Sequence, residues 1–393
     1  MKKILLVNAG SSSVKWKLFA DETQKPLASG LVERIKMPNS IMTTKYQGKK
    51  ATDHFDQLTY EAAADLIFKK LKSLKLVNDF TELSAVGHRV VAGSTEFKQA
   101  TLMTGQKITE LKKLNDFAPL HNPNEVKYIE IFQQMLLQTP QYAVFDSQFF
   151  TKLPESNAIY SLPYEDTQKF GIRRYGEHGI SHDYISRRAA KLLGKPYDQL
   201  KMISLHLGSG ASVAAEKNGR AFDTSMGFAP LTGVTMGTRS GDIDPSVIPY
   251  LMKKLDCSVA DVLNILNQKS GLLGISGISP DMRDIEAAKD HDQRAQLAIE
   301  IFVNRIIKYV GAYYTELAGA DALIFAGGIG ENNAGLRQQI VSGLAILGFK
   351  LDASLNQRQT EGVISAADST IKILVIPTNE ELSMVQQIKQ IKD

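Results

Sequence analysis

The chain has 393 residues, of which 43% are hydrophobic and 22% charged, with 46 Lys plus Arg set against 42 Asp plus Glu. This length exceeds the roughly 250–300 residues at which one hydrophobic core stops growing, so two domains are expected, and the ordinary composition excludes disordered and fibrous classes. A net charge of +4 spread along the chain, without long basic blocks, argues against nucleic acid as a partner.

Taken from the start, Ile4 to Val7 reads as a buried strand. Its apolar run is shorter than the roughly 7–15 residues of a signal-peptide core. No segment approaches the roughly 18 apolar residues that span a bilayer, so no membrane is expected and the cytoplasm is the expected compartment. After Asn8-Ala9-Gly10-Ser11-Ser12-Ser13, the residues Val14, Trp16 and Leu18 alternate with Lys15 and Lys17, as in a half-buried strand. A third strand is expected over Ala28 to Glu33. Tyr60 to Leu74 reads as an amphipathic helix whose Lys69, Lys70, Lys72 and Lys75 form a solvated face. Leu83 to Val91 and Gln141 to Phe145 read as strands on either side of a helix over Glu125 to Leu137.

The strand-turn-strand device returns in the middle of the chain: Met202 to Leu207, the turn Gly208-Ser209-Gly210, Ala211 to Glu216 and Ala221 to Asp223. The sole cysteine, Cys257, permits no intrachain disulfide and reads as a small core hydrophobe. A long helix from Arg294 to Leu317 carries Leu297, Ile301, Ile306, Val310 and Tyr314 near helical spacing. The buried strand Ala322 to Ala326 then runs into Gly327-Gly328-Ile329-Gly330-Glu331. A last strand, Ile371 to Ile376, stops at Pro377, and Thr378-Asn379 can cap a final helix. The expected division is 1–148 and 149–379, its boundary near Phe149 to Pro163, with helix 380–393 returning to the first domain.

Three small-residue turns thus follow apolar strands. Small side chains let backbone N–H groups approach an anion. None fits the P-loop pattern and none opens a dinucleotide unit as G-x-G-x-x-G. In a duplicated α/β chain they suggest a nucleotide gripped between two domains.

Several segments, in order, resemble the acetate kinase family: Asn8 to Lys15, Val86 to Val91, Pro119-Leu120-His121-Asn122-Pro123, Val144-Phe145-Asp146, Arg174-Tyr175-Gly176 with His178, Gly179 and His182, Met236 to Asp242, Gly327 to Asn332, and Thr378 to Glu381. The resemblance covers nearly the whole chain. It implies an α/β fold of two duplicated ribonuclease H-like or actin-like ATPase domains around a nucleotide cleft, as in acetate and sugar kinases, heat-shock chaperones and actin. It also implies a homodimer, ATP and ADP as substrates, acetate and acetyl phosphate as partners, and Mg²⁺, for which Mn²⁺ can substitute.

The resemblance makes Asp146, His178 and Arg239 catalytic and places Arg89, Val91, Leu120 and Pro230 at the acid. Lys15, the run His206-Leu207-Gly208-Ser209-Gly210, Asp281-Met282-Arg283 and the run Gly327-Gly328-Ile329-Gly330-Glu331 fall to the nucleotide, and Asn8 and Glu380 to Mg²⁺. A flying phosphoryl group needs positioned cations and donors more than covalent chemistry, which suits Arg89, Arg239 and His178. The acid substrate is already ionised at neutral pH, so Asp146 is expected to position Mg²⁺-bound water or substrate and not to act as a general base. His178 and His182 have a spacing that a helix could turn into a zinc pair, but Gly176 and Gly179 argue against a helix there. His182 reads as structural, and His121 and His206 as lining the same cleft.

Two departures stand out. Ser209 replaces a familiar asparagine. Glu177 stands where an aromatic residue is familiar, and it would repel an anionic substrate unless it turns away or pairs with Arg173 or Arg174. Propionate kinase, sugar kinase and a non-enzymatic nucleotide switch remain open alternatives on sequence.

Overall fold

The computed structural model describes residues 1–119, 121–357 and 360–392. Leu120 lies outside the described residues. The chain divides into two compact units, Met1–Thr151 with Asn379–Asp393, and Lys152–Thr378.

In the first unit, β1 (Lys3–Ala9), β2 (Ser13–Ala20) and β3 (Pro26–Glu33) form the opening antiparallel meander. Val14, Trp16 and Leu18 are buried and Lys15 points outward, as the alternation requires. The meander runs one hairpin further than the sequence suggested, through β4 (Ser40–Tyr46) and β5 (Lys49–Phe55). Their turn, Gln47-Gly48, has both residues at positive φ, the two-residue geometry that matches strand twist.

The helix Tyr60–Ser73 then crosses over, capped by Thr59, whose hydroxyl accepts from the Ala62 N–H at 3.2 Å. It buries Ala63, Ile67, Phe68 and Leu71 and leaves Lys69 and Lys72 in solvent. The crossover brings β6 (Leu83–Val90) in parallel beside β1. The helix Asn122–Met135 leads to β8 (Gln141–Phe145), parallel to β6, while β7 (Thr101–Leu102) covers its edge. Among the described residues the sheet order is β5-β4-β3-β2-β1-β6-β8-β7. The last helix, Glu380–Lys392, docks on β1, β6 and β8, with Ile388 over Gly87 and Lys389 donating to the Asp21 carbonyl at 2.8 Å.

The second unit repeats the plan. β9 (Met202–Leu207), β10 (Ala211–Lys217) and β11 (Arg220–Thr224) form the antiparallel meander, and β12 (Ala322–Ala326) joins β9 in parallel. With β13 (Gly362–Val363) and β14 (Lys372–Val375), the order is β11-β10-β9-β12-β14-β13. Among the described residues each sheet has an antiparallel meander, of five strands in the first and three in the second, to which two further strands add in parallel, and this is the duplicated ribonuclease H-like α/β fold the sequence implied. β12 is buried throughout, as an interior parallel strand must be.

Three local expectations differ from the structure. The helix Gln293–Glu316 buries Ala295, Ala298, Phe302, Ile306 and Val310, whereas Leu297, counted on the apolar face, is 46% exposed. The true face follows the smaller alanines. Cys257 is half-buried, not a core residue, because it falls in the link between the helices Val247–Leu255 and Val259–Gln268, beside Asp256 in the left-handed region. A helix does begin at Gly179, running to Leu193, with His178 as its cap residue and His182 in its first turn. No helix among the described residues is long and apolar enough to cross a membrane.

Candidate active site

In the first unit the candidate residues gather at the carboxyl ends of β1, β6 and β8. Asn8 pairs in register with Lys15 across the β1–β2 ladder. Both line a cavity of about 400 Å³ that also takes in Lys17, Arg89, Glu380 and Glu381. The Arg89 Nε and Nη2 donate to Asp146 Oδ2 at 3.0 and 2.7 Å, and its Nη1 lies 3.4 Å from Glu380 Oε2.

Asp146 is 1% exposed and follows directly after β8. Burial raises its carboxyl above the ordinary aspartate range, against the attraction of Arg89. Burial also works against the Arg89 charge, but Asp146, Glu380 and Glu125 outweigh it and raise its pKa. The Asp146 Oδ1 is buried without a hydrogen-bond partner among the described residues. Such an orphan acceptor suggests a ligand or ion it would meet.

The sequence did not single out Glu125 as a site residue, and Asn122 entered only inside a motif. Their side chains accept from the backbone N–H groups of Val91 and Ala92, each at 3.1 Å, and so hold the segment after β6. The signal was faint: an Asn and a Glu three apart in the first turn of a helix, a pattern as common at a solvated helix start. His121 is exposed at the start of that same helix.

The oxygen set fits Mg²⁺. Asn8 and Glu380 line one cavity, and among the described residues no group of three His, Cys, Asp or Glu side chains is preassembled to hold a metal. An amide oxygen and a carboxylate in one cavity are the donors a hard cation takes when water and phosphate complete its shell.

In the second unit the centre is the tight turn between β9 and β10. The Gly208 N–H donates to the Gly210 carbonyl at 3.0 Å, and the Gly237 N–H to the Ser209 carbonyl at 2.9 Å, tying the turn to the loop that carries Arg239. Arg239 is fixed in turn, its Nη1 donating to the Pro230 carbonyl at 2.6 Å. A Cβ on Gly210 would lie 2.8 Å from Arg239 Nη2 and 3.1 Å from His178 Nε2. Two nitrogens therefore converge beside a backbone bare of side chain.

Burial weakens the Arg239 charge, and the carboxylate of Glu177 supports it. Arg239 is thus a cation within electrostatic reach of Glu177. Arg174 is engaged elsewhere, donating to the Thr224 carbonyl at 3.2 Å and lying over the Tyr160 ring.

His178 is 9% exposed, its ring stacked on His206 with centroids 4.4 Å apart, and Ser212 Oγ lies 2.9 Å from its Nδ1. Ser181 Oγ stands 2.8 Å from His206 Nδ1 and 2.7 Å from Thr378 Oγ1. Gly327, at φ +76°, begins the short helix Gly327–Asn332, and a Cβ there would lie 2.7 Å from the Leu207 carbonyl oxygen. Only glycine permits both that backbone and that approach.

Glu331 serves the same corner, one carboxylate oxygen accepting from the Gly327 and Thr378 N–H groups at 2.9 and 3.0 Å. Arg337, which the sequence did not flag, is 1% exposed and braces it, Nη1 donating to the carbonyls of Gly330 and Glu331 at 2.8 Å. Asp281 caps the helix Met282–Ala288 and accepts from the Arg283 N–H at 2.9 Å; Met282 is buried and the Arg283 side chain is exposed.

A duplicated α/β fold of the two-unit ATPase kind, with half-buried cations and donors held near glycine turns, defines a phosphotransferase. The acetokinase family model matches residues 3–386. The chain is 46% identical to an acetate kinase of Bacillus velezensis over 390 residues, which are 99% of each protein. The structure of the Porphyromonas gingivalis acetate kinase superposes with a TM-score of 0.95 at 39% identity over 100% of each chain. A propionate kinase of Francisella tularensis does so with 0.93 at 41% identity, over 98% of this chain and 99% of the other. The chain belongs to the acetokinase family and is a kinase.

Proposed function

We propose that the chain catalyses reversible, Mg²⁺-dependent transfer of the γ-phosphoryl group of ATP to acetate, giving acetyl phosphate and ADP by direct in-line displacement. The observation that carries this reading is the convergence of Arg239 Nη2 and His178 Nε2 beside Gly210. Charge that spreads over the equatorial oxygens of the phosphoryl group is stabilised by such fixed donors.

Arg89 binds the carboxylate of the acid, with Val91 as an apolar neighbour in the same unit. A guanidinium already paired to Asp146 and Glu380 is held in one orientation, which suits planar recognition of a carboxylate. The attacking oxygen of an ionised acid carries no proton to remove, so Asp146 positions Arg89 and the metal's water shell instead of acting as a base.

Asn8 and Glu380 would hold Mg²⁺, which when bound neutralises charge on the nucleotide phosphates. Lys15 faces those phosphates. The segments His206 to Gly210, Asp281 to Arg283 and Gly327 to Glu331 hold the nucleotide, with Glu331 and Arg337 keeping the last of them in shape. We further read the working form as a cytoplasmic homodimer, since Val247, Tyr250, Leu255, Val259 and Leu263 are exposed on two adjacent helices that a second copy would cover.

Hydroxylamine trapping tests the reading. With Mg²⁺-ATP and acetate, propionate, butyrate or glycerol, hydroxamate should form with acetate above its homologues and fail in Arg239→Ala. Preference for a longer acid would change the substrate and keep the mechanism. Absence of hydroxamate with every acid, from folded protein, would end the reading.

A further inference from the structure

Behind His178 runs an unbroken file of hydrogen bonds that ends on a buried acid. Ser212 Oγ lies 2.9 Å from His178 Nδ1 and 2.8 Å from His182 Nε2. His182 Nδ1 lies 2.7 Å from Ser204 Oγ, which lies 2.6 Å from Glu216 Oε1. Ser204, Ser212 and Glu216 share one face of the β9–β10 ladder, and the helix that begins at Gly179 supplies His182 above them. All four are fully buried.

Hydrogen counting makes this file directional. Each serine has one hydrogen to give, and burial together with His206 holds His182 well below its ordinary pKa, so it carries a single N–H. With His178 also neutral and any Glu216 hydrogen on Oε1, the oxygen that meets Ser204, two settings satisfy every bond. With Glu216 ionised, Ser204 donates to Glu216, His182 to Ser204, Ser212 to His182 and His178 Nδ1–H to Ser212, which leaves His178 Nε2 a bare lone pair. With Glu216 protonated and donating to Ser204, every bond reverses and the His178 hydrogen sits on Nε2. The interchange balances: one proton enters at His178 Nε2, each of four hydrogens crosses its own bond, and the last arrives on Glu216.

We propose that Glu216 is a positioning residue that acts through Ser204, His182 and Ser212 to keep the hydrogen of His178 on Nε2, the nitrogen beside Arg239. The proposal rests on the reading that His178 donates to the transferred phosphoryl group, for which a lone pair at Nε2 would be repulsive.

Burial pushes the Glu216 carboxyl up to about 8, with the Asp183 charge adding to this and the hydroxyls of Ser186, Ser204 and Tyr197 opposing it. The acid is therefore protonated at neutral pH. Other ionisable groups face the file. Asp183, paired with Arg187 at 2.7 Å, and Tyr197 stand near Glu216, while His206, Arg239 and Glu177 stand near His178 and its Nε2 neighbour.

The test is nitrogen-15 NMR of the full chain labelled at histidine, with the His178 signals assigned through His178→Asn. Between about pH 6.5 and 9.5 the His178 hydrogen should move from Nε2 to Nδ1, and in Glu216→Gln, which cannot ionise, its position should not change across that range. The kcat of the unsubstituted chain should fall about tenfold or more over the same range, and that of Glu216→Gln less than about threefold. A His178 tautomer that ignores pH in the unsubstituted chain overturns the proposal, and this needs no variant. A tautomer that shifts identically in Glu216→Gln also overturns it. The NMR readout needs no turnover, so a relay that responds in a protein making no acyl phosphate would sink the functional reading and leave the relay standing.

Discussion

Gly210→Ala isolates the proposed phosphoryl-binding corner with a single methyl group. Gly210 is not in the left-handed region, so alanine meets no backbone strain there, and such a change ordinarily stabilises by about 0.4–1 kcal/mol. Its Cβ would lie 2.8 Å from Arg239 Nη2 and 3.1 Å from His178 Nε2, both inside normal contact. Arg239 is pinned by its bond to Pro230 and His178 by Ser212, so each must move by tenths of an ångström against its own anchor. Displacing one fixed donor of this kind costs about 10²–10³ in kcat, or roughly 2.7–4 kcal/mol. Steady-state hydroxamate kinetics with a thermal melt on the same sample provides the assay. The expected result is a kcat down at least about a hundredfold with Tm unchanged or slightly raised. A kcat within about threefold of the original, in a folded protein, would refute the claim that these two nitrogens act where the methyl intrudes.

Arg89→Ala should destabilise by about 3–5 kcal/mol in a denaturant melt, because it strips the buried Asp146 of its ion partner, and it should raise KM for the acid. Gly327→Ala should lose about 1–3 kcal/mol, since its backbone is left-handed and its methyl would strike the Leu207 carbonyl; chemical denaturation measures this. For Glu216 the linkage sign follows from its raised pKa: the folded protein binds the extra proton, so this stabilisation is present below about 4.5 and is lost as pH rises through about 8. Urea melts should therefore show Glu216→Gln gaining stability relative to the original chain as pH rises from about 5 to 9.

The fold was legible where strands are long and alternate or are wholly apolar. Val14, Trp16 and Leu18 announced β2, and Ala322 to Ala326 announced β12 to the residue. The helices between Val247 and Ala288 were not foreseen. They are short, and Val247, Tyr250, Leu255, Val259 and Leu263 face outward, so their apolar positions do not mark a core. Leu297 misled for the same reason, an apolar side chain on the solvent face of a long helix.

At the site, glycine turns and arginines in small-residue loops drew notice because few structures need them. Their supports were silent. Glu125, Arg337, Ser204, Ser212 and Glu216 act through partners distant in sequence, such as the 34 positions between Val91 and Glu125, and no local pattern announces such a bond. Glu177 was a sequence anomaly whose setting lay in three dimensions: its charge supports that of Arg239, far along the chain.

The most direct test of the account is to follow Mg²⁺-ATP and acetate with the enzyme by phosphorus-31 NMR. Acetyl phosphate should appear in step with ADP, and adding ADP to acetyl phosphate should regenerate ATP. ADP accompanied only by inorganic phosphate, with no acyl phosphate signal while hydroxylamine traps nothing, would mean a nucleotide hydrolase and contradict phosphoryl transfer to a carboxylate.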